Sequence, residues 1–202
     1  MTRHQYGRTP TGPGEYREGT AALARPKEAA TLIVVRAGPQ PTLLMGKRAA
    51  SHRFMPNKFV FPGGRLDLID QRLQVPGDLS RPVMERLRKA TRKTINDRKL
   101  RGLALAAIRE TFEETGSKAK IIMPYTMFSL PHINQVHMFY LADLLDENFG
   151  PTVESSEVKL FQLDDILWDE IAFPTVKKTL EYYIKDKEIN KFIFREEDIK
   201  LW

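Results

Sequence analysis

The longest unbroken apolar run in this 202-residue chain is six residues, Leu103-Ala-Leu-Ala-Ala-Ile108. A bilayer span takes about 18 such residues, so a membrane helix is not expected. The core has to be assembled in layers from short strands and from helices that are apolar on one side. With 42% hydrophobic and 29% charged residues, the composition is that of an ordinary globular protein, and 202 residues suffice for one domain with a substantial core.

Both kinds of segment are present. Thr31-Leu-Ile-Val-Val35 reads as a buried strand, Pro39-Gln-Pro41 as a turn, and Thr42-Leu-Leu-Met45 as a second strand. Lys58-Phe-Val-Phe61 reads as a third, stopped by Pro62-Gly63-Gly64, where paired glycines open backbone conformations closed to other residues. Pro82 to about Ile95 predicts a basic helix with Val83, Leu87, Ala90 and Thr94 on one side. Leu103 to Thr115 predicts a second, with Leu105, Ile108 and Phe112 on its apolar side and Gly116 as its stop. Two β-like stretches follow around Pro124 and Pro131, then a strand at Val158-Lys-Leu-Phe161 and a closing helix over Thr175–Lys185. Residues 1–26 are rich in Gly, Pro, Thr and Arg without periodicity, as in a flexible arm; 27–185 form the expected domain and 186–202 a C-terminal extension.

The chain contains no cysteine, which excludes disulfides, thiolate metal sites and a cysteine nucleophile. Any metal must therefore sit on oxygen or histidine. A polar N-terminus and a C-terminus, Ile199-Lys-Leu-Trp202, without the peroxisomal tripeptide lead to a cytoplasmic expectation. The net charge of +6 is concentrated: residues 71–101 hold ten basic residues against Asp78, Glu85 and Asp97. A basic segment of this kind is a solvated helix, a dimer contact or an anion-binding surface.

On a helix, residues three and four apart share a face, so Glu110, Glu113 and Glu114 bring three carboxylates close together. Such like charges repel unless a hard divalent cation such as Mg²⁺ or Mn²⁺ lies between them. Arg109, four residues before Glu113, can bridge a carboxylate and hold it. Taken alone, Arg-Glu-x-x-Glu-Glu is more often a solvated helix face. Here it is joined to Phe61-Pro-Gly-Gly64 upstream and to Gly116 downstream.

The run Arg109-Glu-Thr-Phe-Glu-Glu-Thr-Gly116 is similar to the second half of the Nudix box, and Phe61-Pro-Gly-Gly64 resembles its lead-in. The resemblance implies an α/β fold, an α/β/α sandwich with a mixed sheet, extending over about residues 28–185. It implies metal-dependent diphosphate hydrolysis, with Glu110, Glu113 and Glu114 as ligands, Arg109 orienting them and Gly64 opening the box. It also implies a homodimer. The 44 residues between Gly64 and Arg109 far exceed the box's usual spacer, so the basic segment is a helical insertion within the motif. Asp70 stands near the box's first glutamate position and Asp67 at another acidic one, while Thr111 and Ser117 replace the usual aliphatics. The general base of such an enzyme comes from the box, Glu113 or Glu114, or from a later loop, where Glu154 and Glu157 are the candidates.

Arg48-Ala-x-x-x-Arg53 followed by Phe61-Pro-Gly-Gly64 resembles the coenzyme A diphosphatase branch of that family, with Asn57 where the branch has glycine. Arg48, Arg53 and Lys58, with Asp67 and Asp70, are the expected substrate contacts. A diphosphate with an additional phosphate suits such cations, and so do ADP-ribose, dinucleotide polyphosphates and nucleoside triphosphates. His132 and His137 are better suited to packing and hydrogen bonding than to a metal, and Phe128, Phe139 and Tyr140 to the core than to base stacking. A catalytically idle nucleotide sensor or nucleic-acid binder is the alternative class, and the intact glutamates argue against it.

Overall fold

The computed structural model describes residues 27–73, 79–91 and 95–199. The arm expected over 1–26 lies outside the described residues, as do 74–78 and 92–94 of the basic segment, and 200–202. Eight strands form one mixed sheet: β1 (Lys27–Arg36), β2 (Thr42–Arg48), β3 (Phe59–Val60), β4 (Gly63–Arg65), β5 (Ala119–Leu130), β6 (Gln135–Leu144), β7 (Ser155–Gln162) and β8 (Arg195–Asp198). The order is β3-β2-β1-β6-β5-β8, with β4 paired to β1 and β7 to β2. The β1–β6 and β5–β8 pairs are parallel and the others antiparallel. Among the described residues three α-helices cover the sheet: α1 (Arg81–Ala90), α2 (Asp97–Thr115) and α3 (Pro174–Glu188).

The strand period of two sorts side chains between two cores. Ala30, Leu32 and Val34 of β1, Leu44 of β2, and Met138, Tyr140 and Ala142 of β6 face α1 and α2, where they meet Val83, Leu87, Leu100, Leu103 and Ala107. Ile33 of β1, Leu43 and Met45 of β2, and Phe139 and Leu141 of β6 face α3 and meet Val176, Leu180 and Tyr183. A sheet apolar on both faces, with a helical layer on each, is the expected α/β/α sandwich. Phe128, Phe139 and Tyr140 are core residues.

The basic insertion forms part of this sandwich. The α1 helix ends at Ala90, before the expected Ile95, where Thr91 turns extended and its hydroxyl donates to Leu87 O at 2.8 Å. The α2 helix starts six residues earlier than expected because the Asn96 side chain caps it, accepting the Lys99 N–H at 2.9 Å. Many of the insertion's cations are engaged internally. Arg88 forks onto Asp97 at 2.9 and 2.7 Å, Lys99 pairs with Glu28, Arg81 with Glu85, and Arg98 donates to Gln71 O. Phe112, expected on the apolar side of α2, is 55% exposed instead. The buried stripe passes through Ala104, Ala107, Thr111 and Thr115, whose hydroxyls bond back to the helix carbonyls of Ala107 and Thr111.

The closing helix runs three residues past Lys185, and the chain beyond it returns as β8 alongside β5. Asp186 secures this return. It accepts Tyr125 Oη at 2.8 Å and both Arg195 Nη atoms at 2.7 and 2.5 Å. Burial pushes the Asp186 carboxyl up, but the bonds from Arg195 and Tyr125 outweigh it and hold the group below its ordinary value.

Candidate active site

The site forms where α2 crosses β4. Gly63 and Gly64 do not form a glycine turn; they are extended strand, paired with Thr31 and Ala30 of β1. Glycine is required there for closeness rather than for an unusual φ. A Cβ on Gly63 would lie 2.6 Å from Thr31 Cα, and one on Gly64 would lie 2.2 Å from Glu110 Cδ. The strand thus seats its backbone directly against the carboxylates of α2. The Gly63 N–H donates to Glu114 Oε2 at 3.0 Å. At the other end of the motif Gly116 adopts φ 74°, the left-handed cap expected of it, and its N–H closes on Phe112 O.

Arg109 organises the acidic side chains. Its Nε and Nη2 donate to Asp70 Oδ1 and Oδ2 at 2.9 and 3.1 Å, and its Nη1 lies 2.8 Å from Glu113 Oε2 and 3.1 Å from Glu110 Oε1. These partners, Asp70 first, raise the Arg109 pKa, so the guanidinium is always charged. Asp70 is 0% exposed, and its Oδ2 also accepts the Asp67 N–H. The sequence places Asp70 among the substrate contacts; its carboxylate is instead turned inward to hold Arg109. Asp67 lies at the exposed rim, 3.8 Å from Arg109 Nη2.

The electrostatics identify the unbalanced point. Burial pushes Glu114 up to about 8; the Gly63 N–H opposes this, and the nearby Glu110 and Glu154 carboxylates add to it. Glu110 is also raised, first by burial, with Arg109 opposing and Glu113 and Glu154 contributing. Glu110, Glu114 and Glu154 therefore lie within one another's fields, and their oxygens are the donor set that a hard divalent cation prefers. Among the described residues no three such side chains already converge on one point. Glu113 turns to Arg109 and would have to leave it to join a metal.

The two downstream candidates separate clearly. Glu157 pairs in register with Lys47, on the α3 side of the sheet where Lys47 and Lys159 lie over the Phe59 ring, and its carboxylate bonds Lys159 at 2.9 Å. The expected catalytic role of Glu157 therefore has no support in its position, because Glu110 and Glu114 lie against the opposite face. Glu154 lies before β7, in a segment that folds back over the end of α2, where the Gly150 N–H donates to Thr115 O at 3.0 Å. There the Thr152 hydroxyl donates to Glu114 O at 3.1 Å and accepts the Glu154 N–H at 3.2 Å.

Of the expected cationic contacts, Arg53 is exposed on the 49–57 loop, and Lys58 donates to Asp169 O at 2.8 Å. Arg48 is half-buried; its Nε donates to Phe54 O and its Nη2 to His52 Nδ1, both at 3.0 Å. The chemistry-bearing residue that sequence reasoning misses is His52, and only its nearness to the Arg48-Arg53 pair could draw attention to it. The His137 ring is half-buried with Nε2 2.8 Å from Gln135 Oε1, His132 Nδ1 is buried without a hydrogen-bond partner, and among the described residues neither stands in a metal-ligand group.

No family model and no curated protein matches the sequence. Solved structures do. A Nudix hydrolase from Nitrosomonas europaea superposes with a TM-score of 0.63 at 26% identity, over 88% of this chain and 81% of that one. A Nudix hydrolase from Alicyclobacillus acidocaldarius gives 0.55 at 18%, over 81% and 93%, and a structure described as UDP-X diphosphatase gives 0.54 at 16%, over 87% and 70%. The last two speak for the fold alone. With the box glutamates, Arg109 and the Gly63-Gly64 strand assembled on that fold, the chain is similar to the Nudix hydrolases in both its architecture and its box residues.

Proposed function

We propose that this enzyme hydrolyses the diphosphate of coenzyme A or an acyl-CoA, using Mg²⁺ or Mn²⁺ held by Glu110 and Glu114, with Glu113 joining from Arg109. The observation that carries the proposal is the seating of the Glu110 and Glu114 side chains directly against the Gly63-Gly64 strand, with Glu154 near enough to push both carboxyls up. A divalent ion bound there supplies charge neutralisation for the diphosphate and acidifies water. Asp70 fixes Arg109, and Arg109 in turn fixes Glu110 and Glu113. Glu154 is exposed, beside the two ligands, and takes the proton from the attacking water. The water adds to one phosphorus as the other phosphate leaves in line, with no covalent intermediate.

The coenzyme A reading rests on the Arg48-to-Gly64 resemblance together with the rim. Exposed Arg53, Phe54 and Met55 occupy the 49–57 loop, and Lys58 ties that loop's end to the turn bearing exposed Leu167 and Trp168. Cationic and apolar groups side by side suit a phosphorylated nucleotide with an uncharged arm. The sensor or nucleic-acid reading is disfavoured, because the acidic site is intact and many cations of the insertion are spent on Asp97, Glu28, Glu85 and backbone carbonyls. Mass spectrometry after incubation with Mn²⁺ and coenzyme A tests the reading. The predicted products are 3′,5′-ADP and a phosphopantetheine fragment. Intact coenzyme A alongside cleaved ADP-ribose would replace the substrate.

A further inference from the structure

The catalytic role given to Glu154 requires an exposed loop residue to stay over the carboxylates of α2, and the structure contains a device that would keep it there. Arg48, at the end of β2, donates through Nη2 to His52 Nδ1 at 3.0 Å, and His52 Nε2 lies 2.9 Å from Glu154 O. An arginine only donates, so His52 Nδ1 must accept. The ring is therefore in the neutral tautomer that carries its proton on Nε2, and that N–H donates to Glu154 O. The same carbonyl accepts the Ala49 N–H at 3.0 Å, so two donors from the 49–57 loop hold the backbone of the base.

The loop is itself fixed. Arg48 Nε donates to Phe54 O, the Asn57 N–H donates to Arg48 O, and Met55 and Asn57 hold positive φ values of 45° and 59°. Non-glycine residues occupy that region only when their surroundings impose it. On the far side of Glu154, Thr152 anchors the segment to Glu114 O. The base is thus suspended between α2 and the Arg48–His52 pair.

We infer that His52 is a positioning residue: oriented by Arg48, it latches the 150–154 loop through Glu154 O and so sets the Glu154 carboxylate over Glu110 and Glu114. This rests on the reading of Glu154 as the base. It gives the substrate-facing 49–57 loop a direct mechanical connection to the catalytic carboxylates.

His52→Ala, His52→Gln and Glu154→Gln variants of the full chain test the inference, each checked for folding by thermal melt. Glutamine can accept from Arg48 and donate to Glu154 O. Amide exchange over residues 150–155 should rise at least about tenfold in His52→Ala and return toward wild type in His52→Gln. With Mn²⁺ and the most rapidly hydrolysed of coenzyme A, ADP-ribose and diadenosine tetraphosphate, kcat should fall about tenfold in His52→Ala with KM within about twofold. In the Glu154→Gln background the same substitution should remove almost nothing further from kcat. Unchanged exchange in His52→Ala, or an equal kcat loss in both backgrounds, overturns the latch. Full turnover in Glu154→Gln overturns the base assignment instead, and the exchange measurement still decides whether the latch exists.

Discussion

Replacing Asp70 by Asn keeps the side chain's shape and removes its charge, which isolates what that charge does for Arg109. In the wild type both Asp70 oxygens accept from Arg109, and Oδ2 also takes the Asp67 N–H. Asn keeps one carbonyl oxygen and turns an NH₂ toward the Arg109 Nη2 donor and the Asp67 N–H, so two bonds are lost in a fully buried place. Breaking a buried charge pair by removing one partner costs about 3–5 kcal/mol. Arg109 still has Glu110 and Glu113, which puts Asp70→Asn at the lower end, about 3 kcal/mol. For a chain of this size that is a fall of about 6–12 °C in Tm. Differential scanning calorimetry at pH 7 on Asp70→Asn, Arg109→Met and the double variant measures it. The double variant should be at least about 1 kcal/mol more stable than the sum of the singles. A Tm within about 2 °C of wild type for Asp70→Asn, or strictly additive losses, would refute the claim that Asp70 acts through Arg109.

Gly64→Ala places a methyl where the Glu110 carboxyl sits; the protein should fold and lose turnover by at least about a hundredfold, as expected of a displaced catalytic group, in a steady-state assay beside circular dichroism. Glu157→Gln should leave kcat within about twofold of wild type while Glu154→Gln lowers it about a hundredfold; the reverse order in the same assay would exchange their roles. Burial pushes His137 down to about 4. Between that value and the ordinary 6.5 the unfolded chain takes up a proton that the folded protein refuses. His137 therefore contributes about 3 kcal/mol of stability that is full above pH 6.5 and lost as the pH falls toward 4. Urea denaturation at pH 7 and pH 5 should show this loss in the wild type and a reduced loss in His137→Gln.

The parts of this molecule that short-range pattern determines are legible in the amino-acid sequence. Glu110, Glu113 and Glu114 share a helix because of their spacing, Gly116 ends it because only a left-handed residue fits, and the strand runs at 31–35, 42–45 and 158–161 are each contained in longer strands. What depends on register or on distant partners is not legible there. Glu157 and Glu154 look alike in a polar loop, and what separates them is that Glu157 lies inside β7 opposite Lys47 while Glu154 precedes the strand in a segment that Thr152 ties to Glu114 O. Asp70 reads in the sequence as an acidic box position facing substrate, and its inward role is settled only when α2 brings Arg109 to it from 39 positions away. The pair Gly63-Gly64 suggests a turn, and it is a strand because the demand is for room beside Thr31 and Glu110. The β8 strand has four charged residues, Arg195-Glu-Glu-Asp198, and no apolar signal; it is held by β5 and by the buried Asp186–Arg195 pair.

The central claim, that the α2 carboxylates make this chain a metal-dependent pyrophosphohydrolase, is tested most directly by one rate measurement. Initial rates of diphosphate cleavage are recorded over coenzyme A, ADP-ribose, diadenosine tetraphosphate and nucleoside triphosphates, with Mn²⁺ and with excess chelator, for the wild type beside Glu114→Gln. The account predicts cleavage of at least one compound that vanishes with chelator and falls at least about a hundredfold in Glu114→Gln. Cleavage unaffected by the substitution, or no cleavage of any compound with metal present, would contradict it.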